Sequence, residues 1–247
     1  MVDHMCGRFV SSHSPDKIAE FFGASFEGGD APQLPANFNV APTNDVYGVV
    51  QAHDGHREVQ AFHWGLVPSW AKDVKVGYKM INARSETVAE KSAFKGLMKK
   101  HRMLIPMDGF YEWQAGGDDA PLTKAGKPQK TPMFIHRKDG EPLAVAGLWA
   151  TWRDPKAGAD APWLHSCTVL TTAANATMEP VHDRMPVILP EAKWAEWLDP
   201  ANQDVEALRR LLVPADDDLL EYHAVSREVN NVRNKGEELI SPASDAA

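Results

Sequence analysis

Residues 143–152, Leu-Ala-Val-Ala-Gly-Leu-Trp-Ala-Thr-Trp, and residues 164–172, Leu-His-Ser-Cys-Thr-Val-Leu-Thr-Thr, are two apolar runs joined by a segment rich in Asp, Pro and Gly. Runs of this length bounded by turn residues read as strands. Working outward, runs of the same kind recur at 46–52, 59–67, 103–107, 110–113, 133–136 and 187–189. Helical signals are fewer. Ser14-Pro15 followed by Ile18, Phe21, Phe22 and Gly23 supplies a cap, a first-position proline and a terminating glycine. Helical spacing also runs over 86–100, over 190–198 with Trp194, Trp197 and Leu198 on one face, and over 205–212. Strands and helices do not alternate strictly, so the expected fold is α+β: a single domain with a curved, mostly antiparallel, barrel-like sheet flanked by helices. Residues 114–130, rich in Gly, Asp, Lys and Pro, predict an exposed loop between two strands.

The 247 residues suit one domain with a sizeable core, and 43% hydrophobic with 24% charged residues excludes a disordered or fibrous chain. No run approaches a membrane-spanning length and no signal segment opens the chain, so a cytoplasmic protein with no membrane contact is expected. The net charge of −8 opposes nucleic-acid binding by bulk attraction, and any such contact must be local. Two cysteines, Cys6 and Cys167, are too few for a disulfide framework, and the histidines include no pair at zinc-site spacing joined to cysteines. No metal and no cofactor is expected. Residues 1–4 read as a leader or cloning extension before a second start at Met5, the domain spans 5–242, and the small polar tail at 243–247 frays.

Cys6 has two readings. One is a small buried hydrophobe at a strand start. The other depends on its being N-terminal, because a terminal cysteine carries an α-amine and a thiol two carbons apart. That amine has a pKa near 8, so part of it is neutral and nucleophilic at pH 7. It can condense with an aldehyde to an imine and close through sulfur into a thiazolidine, which an internal cysteine cannot do.

Cys6-Gly7-Arg8-Phe9 is followed in order by Phe38-Asn39-Val40-Ala41-Pro42-Thr43, Trp64-Gly65-Leu66-Val67-Pro68-Ser69-Trp70, Ile81-Asn82-Ala83-Arg84-Ser85-Glu86-Thr87 and Gly109-Phe110-Tyr111-Glu112-Trp113. His182-Asp183-Arg184-Met185-Pro186, Val225-Ser226-Arg227 and Asn231-Val232-Arg233-Asn234 complete the set. Together these segments resemble the SRAP family, the SOS-response-associated peptidase proteins that trap abasic sites in single-stranded DNA. The resemblance implies that Cys6 is the nucleophile, that Asn82 positions it, and that Glu112 and His182 handle protons. It further implies self-processing to expose the Cys6 amine, covalent partnership with abasic single-stranded DNA as a monomer, and association with the nucleoid when DNA is bound. The leader at 1–4 departs from the family pattern.

The residues' own chemistry is compatible with these roles. Strand alternation puts Glu112 on the side of Phe110, opposite Tyr111 and Trp113, so its carboxylate is expected to be partly desolvated with a raised pKa. The bland alternative is an edge-strand glutamate facing water. His182, in a charged loop before a proline, has a pKa suited to protonating a departing sugar oxygen; Asn82, otherwise a turn residue, can donate and accept at once. Arg8, Arg84, Arg184 and Arg227 are candidate phosphate forks, with Asn39 and Ser226 from the matched segments as further DNA contacts. Trp64 and Trp70 flank a Gly/Pro loop where an aromatic could stack on an unpaired base, and Pro42 and Pro68 are candidate wedges. Lys91, Lys95, Lys99, Lys100 and Arg102 read either as a solvated helix face or as a phosphate-tracking edge. Cys167 reads as inert core. Two other functions compete: a cysteine peptidase acting on other proteins through Cys6 and His182, with the terminal position of Cys6 against it, and a non-covalent reader of modified DNA.

Overall fold

The computed structural model describes residues 6–26, 31–117, 120–158 and 160–243. From the N-terminus, strand β1 (Phe9–Ser11) leads into helix α1 (Pro15–Phe22), capped by the Ser14 side chain and closed by Gly23 in the left-handed region at φ 56°. There follow β2 (Ala24–Phe26), β3 (Asn37–Val40), β4 (Asp45–Gln51), β5 (Arg57–Trp64), β6 (Asn82–Arg84) and the single-turn helix α2 (Leu97–Lys100). The central strands are β7 (Arg102–Met107), β8 (Gly109–Gln114), β9 (Thr131–Arg137), β10 (Leu143–Trp152) and β11 (Leu164–Ala173). The chain ends through β12 (Arg184–Pro186), α3 (Trp194–Leu198), α4 (Val205–Arg209) and β13 (Leu220–Ala224).

Five strands close on themselves. Strands β5, β4, β7, β10 and β11 pair antiparallel in that order, and β11 returns to β5 in parallel, with Ser166 opposite His63 and Cys167 opposite Trp64. The result is the curved, mostly antiparallel, barrel-like sheet expected from the sequence. Val46, Val50, Phe62, Trp64, Met103, Ile105, Val145, Cys167 and Val169 meet in one buried cluster that draws on all five strands. Gly48 is required there, since a Cβ at that position would lie 2.0 Å from Met103 Cε. The alternate residues Ala144, Ala146, Leu148 and Ala150 of β10 pack outward with Phe22, Trp194, Trp197 and Leu208 beneath the helices. A strand buried on both faces reads as a continuous apolar run, which is why 143–152 announced itself so clearly.

A second sheet, which the sequence did not foretell, orders its strands β13-β9-β8-β1-β3, all antiparallel. Phe9, Phe110, Met133 and Ile135 on one of its faces join the barrel cluster, while Val10, Tyr111 and Phe134 on the other pack with Val225, Val229 and Leu239. The exposed loop expected at 114–130 indeed joins β8 to β9.

Several expectations are corrected. Over 86–100 only Leu97–Lys100 is helical. Before it, backbone bonds come as separate turns, Val88 to Arg84, Lys91 to Thr87 and Lys95 to Lys91, with no continuous ladder between them. The buried residues Val88, Phe94 and Met98 are served by these turns without a long helix. The strand expected at 187–189 is displaced to β12, and the 187–189 stretch makes bridge-like bonds to Ala144 and Ala146. At the start of the expected tail, the Ala243 N–H bonds Ala224 O at 2.8 Å. The leader at 1–4 and residues 244–247 lie outside the described residues.

Candidate functional site

Cys6 stands just before β1 and is fully buried. Its φ of 48° is in the left-handed region, which costs a non-glycine residue about 1 kcal/mol. Its backbone N–H donates to the Glu112 carboxylate. The contact follows from register, because β1 and β8 pair antiparallel with Phe9 opposite Phe110, which brings Glu112 alongside the chain entering β1. Glu112 is buried and shares the Phe110 side of β8, with Tyr111 and Trp113 opposite, as strand alternation required. Burial, and next the Glu112 charge, push the Cys6 thiol well above the ordinary range, so the sulfur stays protonated at neutral pH.

Asn82 and His182 each follow a residue of the buried cluster to which Cys6 belongs. Ile81 and Val181 belong to the buried cluster that contains Cys6, Phe9 and Trp64. Asn82 opens β6, whose parallel pairing with β11 sets it opposite Val169. The loop before His182 is fastened to β8 by Gln114 Nε2, which donates to Pro180 O at 2.9 Å. His182 Nδ1 lies 3.1 Å from the Arg184 N–H and 2.8 Å from Asp183 Oδ1. The neutral ring accepts from Arg184 and carries its proton on Nε2; the protonated ring can turn Nδ1–H to Asp183. Among the described residues no group of three or more His, Cys, Asp or Glu side chains is arranged to hold a metal ion.

The candidate DNA contacts divide. Trp70 is 61% exposed, Arg84, Ser226 and Arg227 are exposed, and Pro42 is half-buried. Arg227 donates to Gln129 Oε1, and the Ser226 hydroxyl caps the turn at Glu228. Trp64, in contrast, is wholly buried, tilted against Phe9 at 5.0 Å, with its Nε1–H donating to Ile81 O. Its ring is wall material and offers no stacking face at the surface. Pro68 is buried as well and cannot act as an exposed wedge. Asn39 is fully buried: its amide donates to the carbonyls of Val229, Asn231 and Asn234, and its Oδ1 accepts from Arg8. Arg8 also donates to Val229 O and lies 5.9 Å over Trp113. Arg184 forks onto Glu86 and donates to Thr171 O at 2.8 Å. Asn39 and Arg184 are therefore structural pins. Arg102, expected to share the edge formed by the exposed lysines, is buried and donates to the carbonyls of Met98, Trp197, Asp199 and Asn202. Cys167 is fully buried, and burial raises its thiol pKa, in keeping with inert core.

One cluster at the site escaped sequence reading. Asp108, immediately before β8, accepts from the Ser12 N–H and hydroxyl, both at 2.6 Å, and from His13 Nδ1. It pins β1 against β8, the two segments that carry Cys6 and Glu112. In the sequence, an Asp-Gly pair between two apolar runs signals only a turn.

Residues 5–232 match the SOS response associated peptidase (SRAP) family. The chain belongs to this family. Among SRAP relatives it is 39% identical over 236 residues to "Abasic site processing protein YoqW" of Bacillus subtilis, covering 96% of this chain and 99% of that one. It is 32% identical over 244 residues to "Abasic site processing protein YedK" of Escherichia coli, covering 96% and 100% of the two chains. "Abasic site processing protein HMCES" of Xenopus tropicalis is 30% identical over 266 residues, with coverage of 96% and 78%. The SRAP fold also matches a crystal structure of a protein from Bacteroides thetaiotaomicron with a TM-score of 0.81 at 23% identity, covering 97% of this chain and all of that one.

Proposed function

We propose that this protein processes abasic sites in single-stranded DNA by covalent capture on Cys6, after removal of the residues that precede it. The observation that carries the reading is the buried contact between the Cys6 backbone nitrogen and the Glu112 carboxylate. The names of the SRAP relatives point to the lesion, and this contact supports the chemistry. In self-processing, water adds to the Met5 carbonyl carbon and gives a proton to the Glu112 carboxylate; the Met5–Cys6 bond then breaks, Met5 leaves as a carboxylic acid, and the Cys6 nitrogen must gain a proton as it departs. Glu112 is in place to deliver it.

With the amine free, His182 donates a proton to the sugar ring oxygen. The C1′–O4′ bond breaks, and the C1′ hydroxyl gives up its proton to become an aldehyde. The amine adds to that carbon and water leaves, with Glu112 shuttling the protons. Sulfur then adds to the imine carbon, and the thiol proton ends on nitrogen, closing a thiazolidine with net loss of one water. Because burial keeps the thiol protonated, the amine attacks first and the sulfur follows. Asn82 holds the amine or thiol in register. An elimination branch, in which the imine expels the 3′-phosphate before ring closure, uses the same groups and gives lyase activity. Trp70, Arg84, Ser226 and Arg227 are the exposed candidates for strand contact, with half-buried Pro42 and Arg8 as further ones. A peptidase acting on other proteins is disfavoured because such an enzyme has no need to place its thiol at a processed N-terminus.

The test is an intact-mass and denaturing-gel assay of processed protein with a single-stranded oligonucleotide carrying one abasic site. A heat-stable conjugate is expected, and Cys6→Ala should abolish it; a conjugate that persists in Cys6→Ala ends the thiazolidine reading. Glu112→Gln should slow processing and conjugation together, by about 10²-fold or more. Normal rates for both would remove Glu112 from the chemistry.

A further inference from the structure

Strand β8 carries Glu112 and ends two residues later at Gln114. Alternation puts these two side chains on one face, about 7 Å apart along the strand. Gln114 Nε2 donates to Pro180 O at 2.9 Å, and His182 stands two residues beyond that carbonyl. The strand that bears one proton-handling residue thus grips the loop that bears the other. On its other side His182 is two residues from Arg184, which pairs with Ala173 of β11. His182 is strung between two fixed points, one on the barrel and one on the small sheet.

The rest of the loop is built to hold a position. Its ends are tied by the Ala174 N–H on Asp183 O at 3.0 Å, and the His182 N–H returns to Met178 O at 2.9 Å. Met178 and Val181 are buried in the cluster that contains Cys6 and Phe110, which sets the depth of the loop against the barrel. Asn175 fastens its start, with Nδ2 donating to Ala215 O at 3.0 Å and to Asp216 O at 3.2 Å. Apolar burial is non-directional and leaves the segment free to turn over its contacts, so direction must come from the polar bonds. Gln114 is half-buried and Pro180 is exposed. A neutral hydrogen bond open to water adds little to stability, so the consequence of this one is positional.

We infer that Gln114 is a positioning residue for opening of the sugar ring: through Pro180 it holds His182 in fixed register with Glu112. This role deepens the capture reading and rests on it. In that step O4′ gains the His182 proton, the C1′–O4′ bond breaks, and the C1′ hydroxyl loses its proton to water. A general acid works only within hydrogen-bond reach of the atom it protonates, and a displacement of about 1 Å costs up to about 10²-fold in rate. Amine addition and closure through sulfur take place at Cys6 and Glu112, and neither step uses the loop.

The experiment measures single-turnover conjugation of the full chain, processed to begin at Cys6, to a single-stranded oligonucleotide with one abasic site over a range of strand concentrations. Gln114→Ala should lower the maximal rate about tenfold and leave the half-saturating strand concentration within about twofold of the parent. Gln114→Lys, which keeps a donor of similar reach, should restore most of the maximal rate; Gln114→Glu, of the same shape without the donor, should not. In a His182→Ala background Gln114→Ala should bring no further loss, because the two residues act as one unit. Formaldehyde, an aldehyde with no ring to open, should modify Cys6 equally fast in the parent and in Gln114→Ala, read by the mass of the N-terminal peptide. A parental rate in Gln114→Ala, equal slowing with formaldehyde, a full further loss in the double variant, or a raised half-saturating concentration at unchanged maximal rate would each overturn the positioning role and leave the capture reading standing. A parent that gives no conjugate while formaldehyde still modifies Cys6 would overturn both.

Discussion

The barrel and the small sheet are both β-structures, and they are held together differently. The barrel's strands run up to ten residues, and its interior is almost wholly apolar. Its stability comes from area removed from water and from close packing inside and against its outer face, as at Trp197 of α3, which is fully buried with its Nε1–H on Met103 O. In the small sheet, β1 has three residues and β3 has four. Strands that short bury too little to fix themselves, and polar pins do the fixing: Asp108 holds Ser12 and His13, and Asn39 ties β3 to the 229–234 segment and to Arg8. Cys6 and Glu112 sit on the pinned sheet, packed against the barrel. A reactive pair is thereby placed on a part of the fold whose geometry is set by directional bonds, with a non-directional core behind it.

This contrast can be broken first at the barrel. Trp197→Ala should cost about 3–5 kcal/mol, more than the loss of any single polar pin, and should be read by urea unfolding. Conjugation to an abasic oligonucleotide, measured at a temperature where the variant remains folded, should stay within about twofold of the parent. A large loss of rate in a folded Trp197→Ala protein would show that the core sets the site's geometry directly, and the division of labour would fail.

Asn39→Ala attacks the other side of the comparison. It removes the donations to the carbonyls of Val229, Asn231 and Asn234 and the acceptor of one Arg8 N–H, leaving Arg8 held by Val229 O, and Asn231 O held by the Asn234 N–H. The expected cost is about 2–3 kcal/mol, smaller than at Trp197. Its effect on conjugation should be the larger one, since Arg8 is two residues from Cys6. An Asn39→Ala protein that conjugates at the parent rate would mean that the pins hold the sheet without tuning the site.

The same contrast explains what the sequence revealed. The barrel strands were legible because burial on one or both faces leaves a run of apolar letters, as in 103–107 and 143–152. The small sheet was half legible. Strands β8 and β9 carried a pattern, but β1 and β3 are too short and, at Asn37 and Asn39, too polar to show one. Glu112 was placed on the correct face by alternation alone, yet its partner Cys6 is 106 residues away and nothing local in the chain announces the pairing. Trp64 and Pro68 misled for a physical reason. An aromatic beside Gly and Pro looks like a loop-tip residue, whereas pairing of β5 with β11 turns Trp64 into the barrel. Gly65, at φ 132°, also lets the chain pack where a Cβ would come 2.9 Å from Gly77 O. Asn39 and Arg184 misled because polar residues suited to contacting DNA are equally suited to pinning a fold.

The smallest effect is the most diagnostic of the pins, because it depends on pH. The bond to Asp108 raises the His13 pKa above its ordinary value. Burial alone would raise the Asp108 carboxyl, but the bonds from His13 and Ser12 outweigh it and hold the pKa below the usual carboxylate range. A raised histidine contributes stability that is full below its unfolded pKa of about 6.5 and is lost as pH rises through the folded value. A lowered aspartate contributes stability that is present above about 3.9 and is lost as pH falls through its folded value. The two overlap between about pH 4 and 6.5, so His13→Ala should destabilise by about 1 kcal/mol in that window and by progressively less toward pH 8. Urea unfolding of both proteins across the range measures the difference. Since Ser12 still bonds Asp108 in this variant, conjugation should change little at pH 8. A stability difference that is flat with pH would mean that His13 contributes packing alone, and that the hydroxyl and N–H of Ser12 hold β1 to β8 without an ion pair.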